Sequence, residues 1–127
     1  MKILVTGDRA WDNIELVVEV LSKYEKGTVL INGKCRGADN ICAAVAEQLG
    51  FTVRSYPALW DAHGRAAGPI RNQQMLDKEN KPDEPIDICL AFHDNIEASK
   101  GTKDMMARAK KANIPVVLFT TEQISQK

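Results

Sequence analysis

A single three-layer α/β domain on a mainly parallel, five-stranded sheet is the fold this sequence predicts. Three observations carry the prediction. Short apolar runs rich in β-branched residues recur at residues 2–6, 28–32, 52–56, 86–92 and 116–120. The segments between them repeat their apolar residues at helical spacing. Glycine or polar turn residues separate the two kinds of segment, the alternation expected of successive βαβ units.

The elements follow in order. Residues 2–6 form a buried strand that ends at Gly7. Asp12, with Glu15 three positions on, reads as the aspartate form of a capping box. Leu16, Val17, Val20, Leu21 and Tyr24 then mark one helical face, and Gly27 stops the helix. The second strand is followed at once by Gly33 and Gly37. A helix over 39–49 turns Ile41, Ala44, Val45 and Leu49 inward and ends at Gly50. After the third strand, residues 58–68 read as a loop anchored by Trp60, and residues 69–78 as a helix with Pro69 in its first turn. Residues 79–85 form a charged, proline-containing loop. The last helix, 101–112, places Asp104 early and Arg108, Lys110 and Lys111 late, as the helix dipole favours. The domain is expected to span residues 1–120, with a polar C-terminal tail over 121–127.

Composition excludes several function classes. Net charge is zero, so no overall field draws the chain onto DNA or an anionic membrane. Only 6% of residues are aromatic and no stretch interleaves them with basic residues, which argues against nucleic-acid binding. No apolar run approaches the ~20 residues of a membrane span. Three cysteines without a CxxC pair, and no secretory signal, argue for reduced thiols and a cytoplasmic setting. His63 and His93 have no ligand-spaced neighbours, so neither a metal site nor a cofactor is expected.

Right-handed crossovers bring every strand's C-terminal loop to one edge of a parallel sheet. The chemistry is therefore expected in Gly7-Asp8-Arg9, in Gly33 to Asp39 with Arg36 and Gly37, and in Ser99-Lys100-Gly101-Thr102. Glycines there let backbone N–H groups approach an anion closely. Any one such glycine is more often a tight turn, and it is their joint placement that points to a site. Asp39 either caps its helix or holds a ribose hydroxyl. Gly68-Pro69-Ile70-Arg71-Asn72 sets Arg71 and Asn72 in the first turn of a helix, where arginine suits bidentate phosphate recognition. Neither GxxxxGK[ST] nor GxGxxG occurs, so a P-loop or a standard NAD site is disfavoured. Cys42 and Cys89 read as core residues, and Cys35 has no nearby general base.

Five of these motifs, in order and together, resemble the YspA-type, cpYpsA-related branch of the SLOG superfamily. They are Thr6-Gly7-Asp8-Arg9 with Trp11-Asp12, Asn32-Gly33 with Arg36-Gly37-Ala38-Asp39, Trp60, Ala67 to Asn72 with Met75, and Ser99-Lys100-Gly101-Thr102. This Rossmann-like superfamily also holds the Lonely Guy phosphoribohydrolases and the DNA-processing protein DprA. The resemblance implies a nucleotide-type ligand at the strand C-terminal ends of a bacterial or phage protein, and self-association as a homodimer. It also implies that Arg71 stands where the hydrolases carry a catalytic arginine, with Asp104 the acidic residue nearest their glutamate. The Pro-Gly-Gly that precedes Gly-Thr in those enzymes is absent, and His63 stands where the family more often has an aromatic residue.

Two function classes follow. The first is a sensor or carrier that binds a phosphorylated nucleotide-derived ligand through Gly7, Asp8, Arg9, Gly33, Arg36, Gly37, Asp39, Trp60, Gly68, Arg71, Asn72, Ser99, Gly101 and Thr102. The alternative is an N-glycosidase acting on nucleoside 5′-monophosphates with Arg71 and Asp104 catalytic.

Overall fold

The computed structural model describes residues 1–121, so the expected 121–127 tail lies, but for its first residue, outside the described residues. Five strands, β1 (Lys2–Gly7), β2 (Val29–Asn32), β3 (Thr52–Ser55), β4 (Ile88–Phe92) and β5 (Val116–Phe119), form one sheet in the order β3-β2-β1-β4-β5. Every pairing is parallel, with Leu4 opposite both Ile31 and Cys89. This is the predicted Rossmann-like α/β domain.

Helices α1 (Ile14–Leu21) and α2 (Ala38–Gln48) connect β1, β2 and β3 toward one edge. The chain then crosses back through the four-residue α3 (Trp60–His63) and α4 (Ala67–Glu79) to β4, and α5 (Gly101–Lys111) leads to β5. Right-handed crossovers that run in opposite directions from β1 must lie on opposite faces. The core obeys this. Ile3, Val5, Leu30, Leu90 and Phe92 pack against α1 and α2, whereas Leu4, Ile31 and Cys89 pack against Met75 and Leu76 of α4 and Met105 and Ala109 of α5. The two-residue alternation along each strand feeds both layers. Among the described residues no helix is long and apolar enough to cross a membrane.

Several local expectations are corrected. Asn13, not Asp12, caps α1, its Oδ1 accepting from Leu16 N at 3.1 Å. Both residue types cap well. Buried Trp11 decides between them, because its indole N–H donates to Asn13 O at 3.1 Å and fixes the entering chain. In α2 the inward line is Ala38, Cys42 and Ala46, while Ala44 is exposed and Ile41, Val45 and Leu49 flank the core half-buried. Small residues on the inward line let the helix sit close to β1. Trp60 opens a short helix rather than anchoring a loop, and it is 48% exposed. Arg71 and Asn72 fall in the second turn of α4, both buried.

Glu79 was expected to open the charged, proline-containing loop over 79–85. It ends α4 instead, with its side chain 4% exposed. It pairs with Lys2 Nζ at 3.1 Å and Arg54 at 2.7 Å, and accepts from the Tyr56 hydroxyl. Burial pushes this carboxyl up, but the bonds from Tyr56, Lys2 and Arg54 outweigh it and hold Glu79 below its ordinary range. Burial, with the bond to Glu79, raises the Tyr56 phenol to about 12.

Gly7 ends β1 where nothing larger fits. A Cβ there would overlap the Ala38 Cβ and the Phe92 carbonyl oxygen. Gly7→Ala is expected to cost about 2–3 kcal/mol, read as a lower urea midpoint at unchanged slope, because the obstacles are backbone and helix rather than a flexible side chain.

Candidate functional site

The strand order reverses at β1, and in open α/β sheets such a switch point is where ligands bind, outside the carboxyl ends of the strands. The loop after β1 carries Asp8 and Arg9, the loop after β2 runs from Gly33 to Gly37, and the loop after β4 starts at His93. Gly37, at φ +77°, packs against the Asp8 and Arg9 carbonyls and joins the first two loops.

These loops, with α3 and α4, enclose a cleft of about 640 Å³ lined by Arg9, Gly33, Lys34, Cys35, Arg36, Pro57, Ala58, Trp60 and Arg71. Arg9 lies over the Trp60 ring, 5.6 Å from its centroid. Arg71 is buried. Its Nη1 donates to Gly33 O at 2.5 Å, its Nε donates to Asn72 Oδ1 at 2.9 Å, and both Nη atoms sit 3.7 Å from Cys35 Sγ. Gly33 permits this, since a Cβ there would strike the guanidinium. Among the described residues no carboxylate lies within ion-pair distance of Arg9, Lys34, Arg36 or Arg71. Four cations therefore converge on one cleft without a salt bridge to any of them, and the buried Asp39 below sets a single opposing charge near Arg71 and Arg9.

Asp39 sits beneath them. It is the second residue of α2 and not its cap, which is Gly37. Its Oδ2 accepts from Gly33 N at 2.9 Å and, more weakly, from Cys35 N at 3.5 Å, so it holds the β2–α2 loop in shape. Burial raises Asp39 to about 6; Arg71, the two backbone N–H groups and Arg9 limit the rise.

Arg9 also borders a second lobe of about 320 Å³, with Gly7, Asp8, His93, Ala98, Ser99, Lys100, Gly101 and Thr102. His93 Nδ1 accepts from Asn95 N at 2.9 Å, so the neutral ring carries its proton on Nε2, which faces Asp8 Oδ2 at 3.9 Å. Ser99 Oγ accepts from Thr102 N and Lys103 N at 3.1 and 3.3 Å, and so caps the start of α5. Gly101 faces open space.

The remaining expected residues fall outside the main cleft. Gly68 lies beside Trp60, where an added Cβ would come 3.6 Å from the ring. Asn72 lines the crevice between the lobes and donates to Asp104 Oδ2 at 3.0 Å. Asp104 also accepts from Arg108 Nε at 2.9 Å and faces a groove between α4 and α5. Lys34 and His93 belong to the strand-end loops expected from sequence, whereas Pro57 and Ala58, which line the cleft after β3, were not expected.

The fold and this loop-borne cleft define a Rossmann-like domain with a candidate site at the strand C-terminal edge. The chain belongs to the YspA, cpYpsA-related SLOG family, whose model matches residues 1–63. It is similar to the Gene 61 protein of Mycobacterium phage D29, at 35% identity over 127 residues covering 93% of this chain and 95% of that one. No solved structure gives a significant match.

Proposed function

We propose that this protein binds a phosphate-bearing, nucleotide-type small molecule in the Arg9–Arg71 cleft, as a sensor or carrier. The observation that carries the reading is the set of four cations without ion pairs around one cleft whose rim holds a half-exposed tryptophan. One buried carboxylate does not balance four cations, so an anion joining them is favoured, and the planar arginine forks match phosphate oxygens. Trp60 offers a π-face to a base. Membership in the SLOG family agrees with a nucleotide-derived ligand.

Binding is favoured over N-glycoside cleavage because Asp104 is already engaged by Arg108 and Asn72 on the α4–α5 side. The test is mass spectrometry of small molecules released by denaturing the purified protein, beside a free-base assay on nucleoside monophosphates. An intact phosphorylated nucleotide without base release is expected. Base release that stops in Asp104→Asn would sink the binding-only reading. Trp60→Ala is expected to weaken the released nucleotide's binding about tenfold or more, measured by calorimetric titration, since stacking on an aromatic ring contributes about 1–3 kcal/mol.

A further inference from the structure

Asp39 is a carboxylate placed where an anion site should not want one. It lines the same narrow crevice as Arg9, Gly33, Cys35 and Arg71, and it is 5% exposed. Its presence is explained in part by the loop it holds, since Gly33 N and Cys35 N both converge on Oδ2. A proton can sit on Oδ1 without displacing either bond.

The charged and titratable groups facing Asp39 come from every element around it. Arg9 approaches from the β1–α1 loop and Arg71 from α4, and both favour the ionised form. Cys42 of its own helix and Cys89 of β4 are buried thiols, pushed up by burial first and by Asp39 second, so they stay neutral. Cys35 is the half-buried thiol of the loop that Asp39 holds. Asn72 and Thr102, lining the same crevice, are neutral. The Gly33 and Cys35 N–H groups compensate part of this buried negative charge, Arg71 and Arg9 supply the rest, and the same two arginines line the cleft. An anion that engages them withdraws that compensation.

We propose that Asp39 is a proton latch for this cleft: an anion seated on Arg9 and Arg71 is taken up together with a proton on the Asp39 carboxyl. The inference rests on the anion-binding reading above and adds its regulation. Because the free protein has Asp39 at about 6, the carboxyl is mostly ionised near neutrality and ready to take up that proton. Ligand binding is then stronger in mildly acidic surroundings, and the cleft reports proton concentration as well as ligand. The reciprocal holds by linkage: whatever factor the anion applies to proton affinity, the proton applies to anion affinity.

The probe is sulfate, a dianion throughout the range from about pH 5 to about pH 8, so its own titration does not intrude. The readout is the Gly33 amide resonance, whose hydrogen bond goes to the Asp39 carboxylate. In the free protein its pH midpoint is expected at about 6. With saturating sulfate the midpoint is expected to rise by about one unit, and sulfate binding to strengthen about tenfold between about pH 8 and about pH 5. Histidine is the other side-chain type that changes charge in this window, and His93 lines the neighbouring lobe. Asp39→Asn, which keeps an oxygen for Gly33 N, separates the two by abolishing the tenfold pH effect. An unmoved Gly33 midpoint, while the Arg71 side-chain resonances respond to sulfate, overturns the latch and leaves the anion cleft standing. No response from either overturns the anion cleft and the latch with it.

Discussion

Arg71→Ala is expected to weaken binding of the co-purified nucleotide by 100-fold or more, on the order of 3 kcal/mol. The side chain does two things at once. It offers charge and N–H donors to the cleft, and it ties α4 to the β2–α2 loop through Gly33 O and, at 3.4 Å, to Tyr56 O. Removing it leaves a buried carbonyl without that donor, and it takes away the main cation facing Asp39. Arg71→Lys should recover little, because an ammonium cannot reach Gly33 O and Asn72 Oδ1 together in one plane. The measurement is calorimetric titration of each variant, with circular dichroism to establish that it is folded. Binding within about threefold of the parent in folded Arg71→Ala would remove Arg71 from the site.

The largest effect on stability is expected at Glu79. Removing one partner of a buried ion pair typically costs about 3–5 kcal/mol, because the other charge stays buried without compensation. Glu79→Ala would leave Lys2, with its side chain 5% exposed, holding only the Glu79 and Glu84 backbone carbonyls and the exposed Glu84 carboxylate at 3.5 Å. It would also leave Arg54 with only the Glu84 carboxylate at 3.8 Å and free the Tyr56 hydroxyl. The expected result is a melting temperature lower by on the order of 10–20 °C. The pH dependence has a definite sign. A carboxyl held below its ordinary value of 4.5 stabilises the fold above that pH, and the contribution is lost as pH falls through the lowered folded-state value. The parent should therefore lose stability in acid faster than Glu79→Ala. Equal acid sensitivity of the two would show that the cluster contributes nothing through its charge.

Local pattern carried much of this structure. The unbroken apolar run of Ile3, Leu4 and Val5, the helical spacing of Leu16, Val17, Val20 and Leu21, and the turn glycines depend on interactions within a few residues, so they are visible in one dimension. Crossover handedness then brought the loops after β1, β2 and β4 to one edge, and with them Arg9, Gly33, Arg36 and Thr102. Errors arose where two local solutions were equally good. Asp12 and Asn13 are both competent caps, and the burial of Trp11 chose between them. Ala44 and Ala46 are the same residue type, and the close approach of α2 to Gly7 put Ala46 inside.

What the sequence by itself determined is the alternation of strands and helices, the parallel sheet and the edge that carries the candidate site. Each of these follows from short-range periodicity and chain chirality. Only the tertiary structure decided which charges meet. Lys2 and Glu79 lie far apart in sequence and form a buried pair, and Asp39, expected to cap its helix or hold a ribose hydroxyl, is not the cap but the carboxylate beneath Arg71. Asp104 was drawn to Arg108 and away from the cleft. Charge interactions act through space and depend on burial, and neither distance nor burial between remote segments is written in local order.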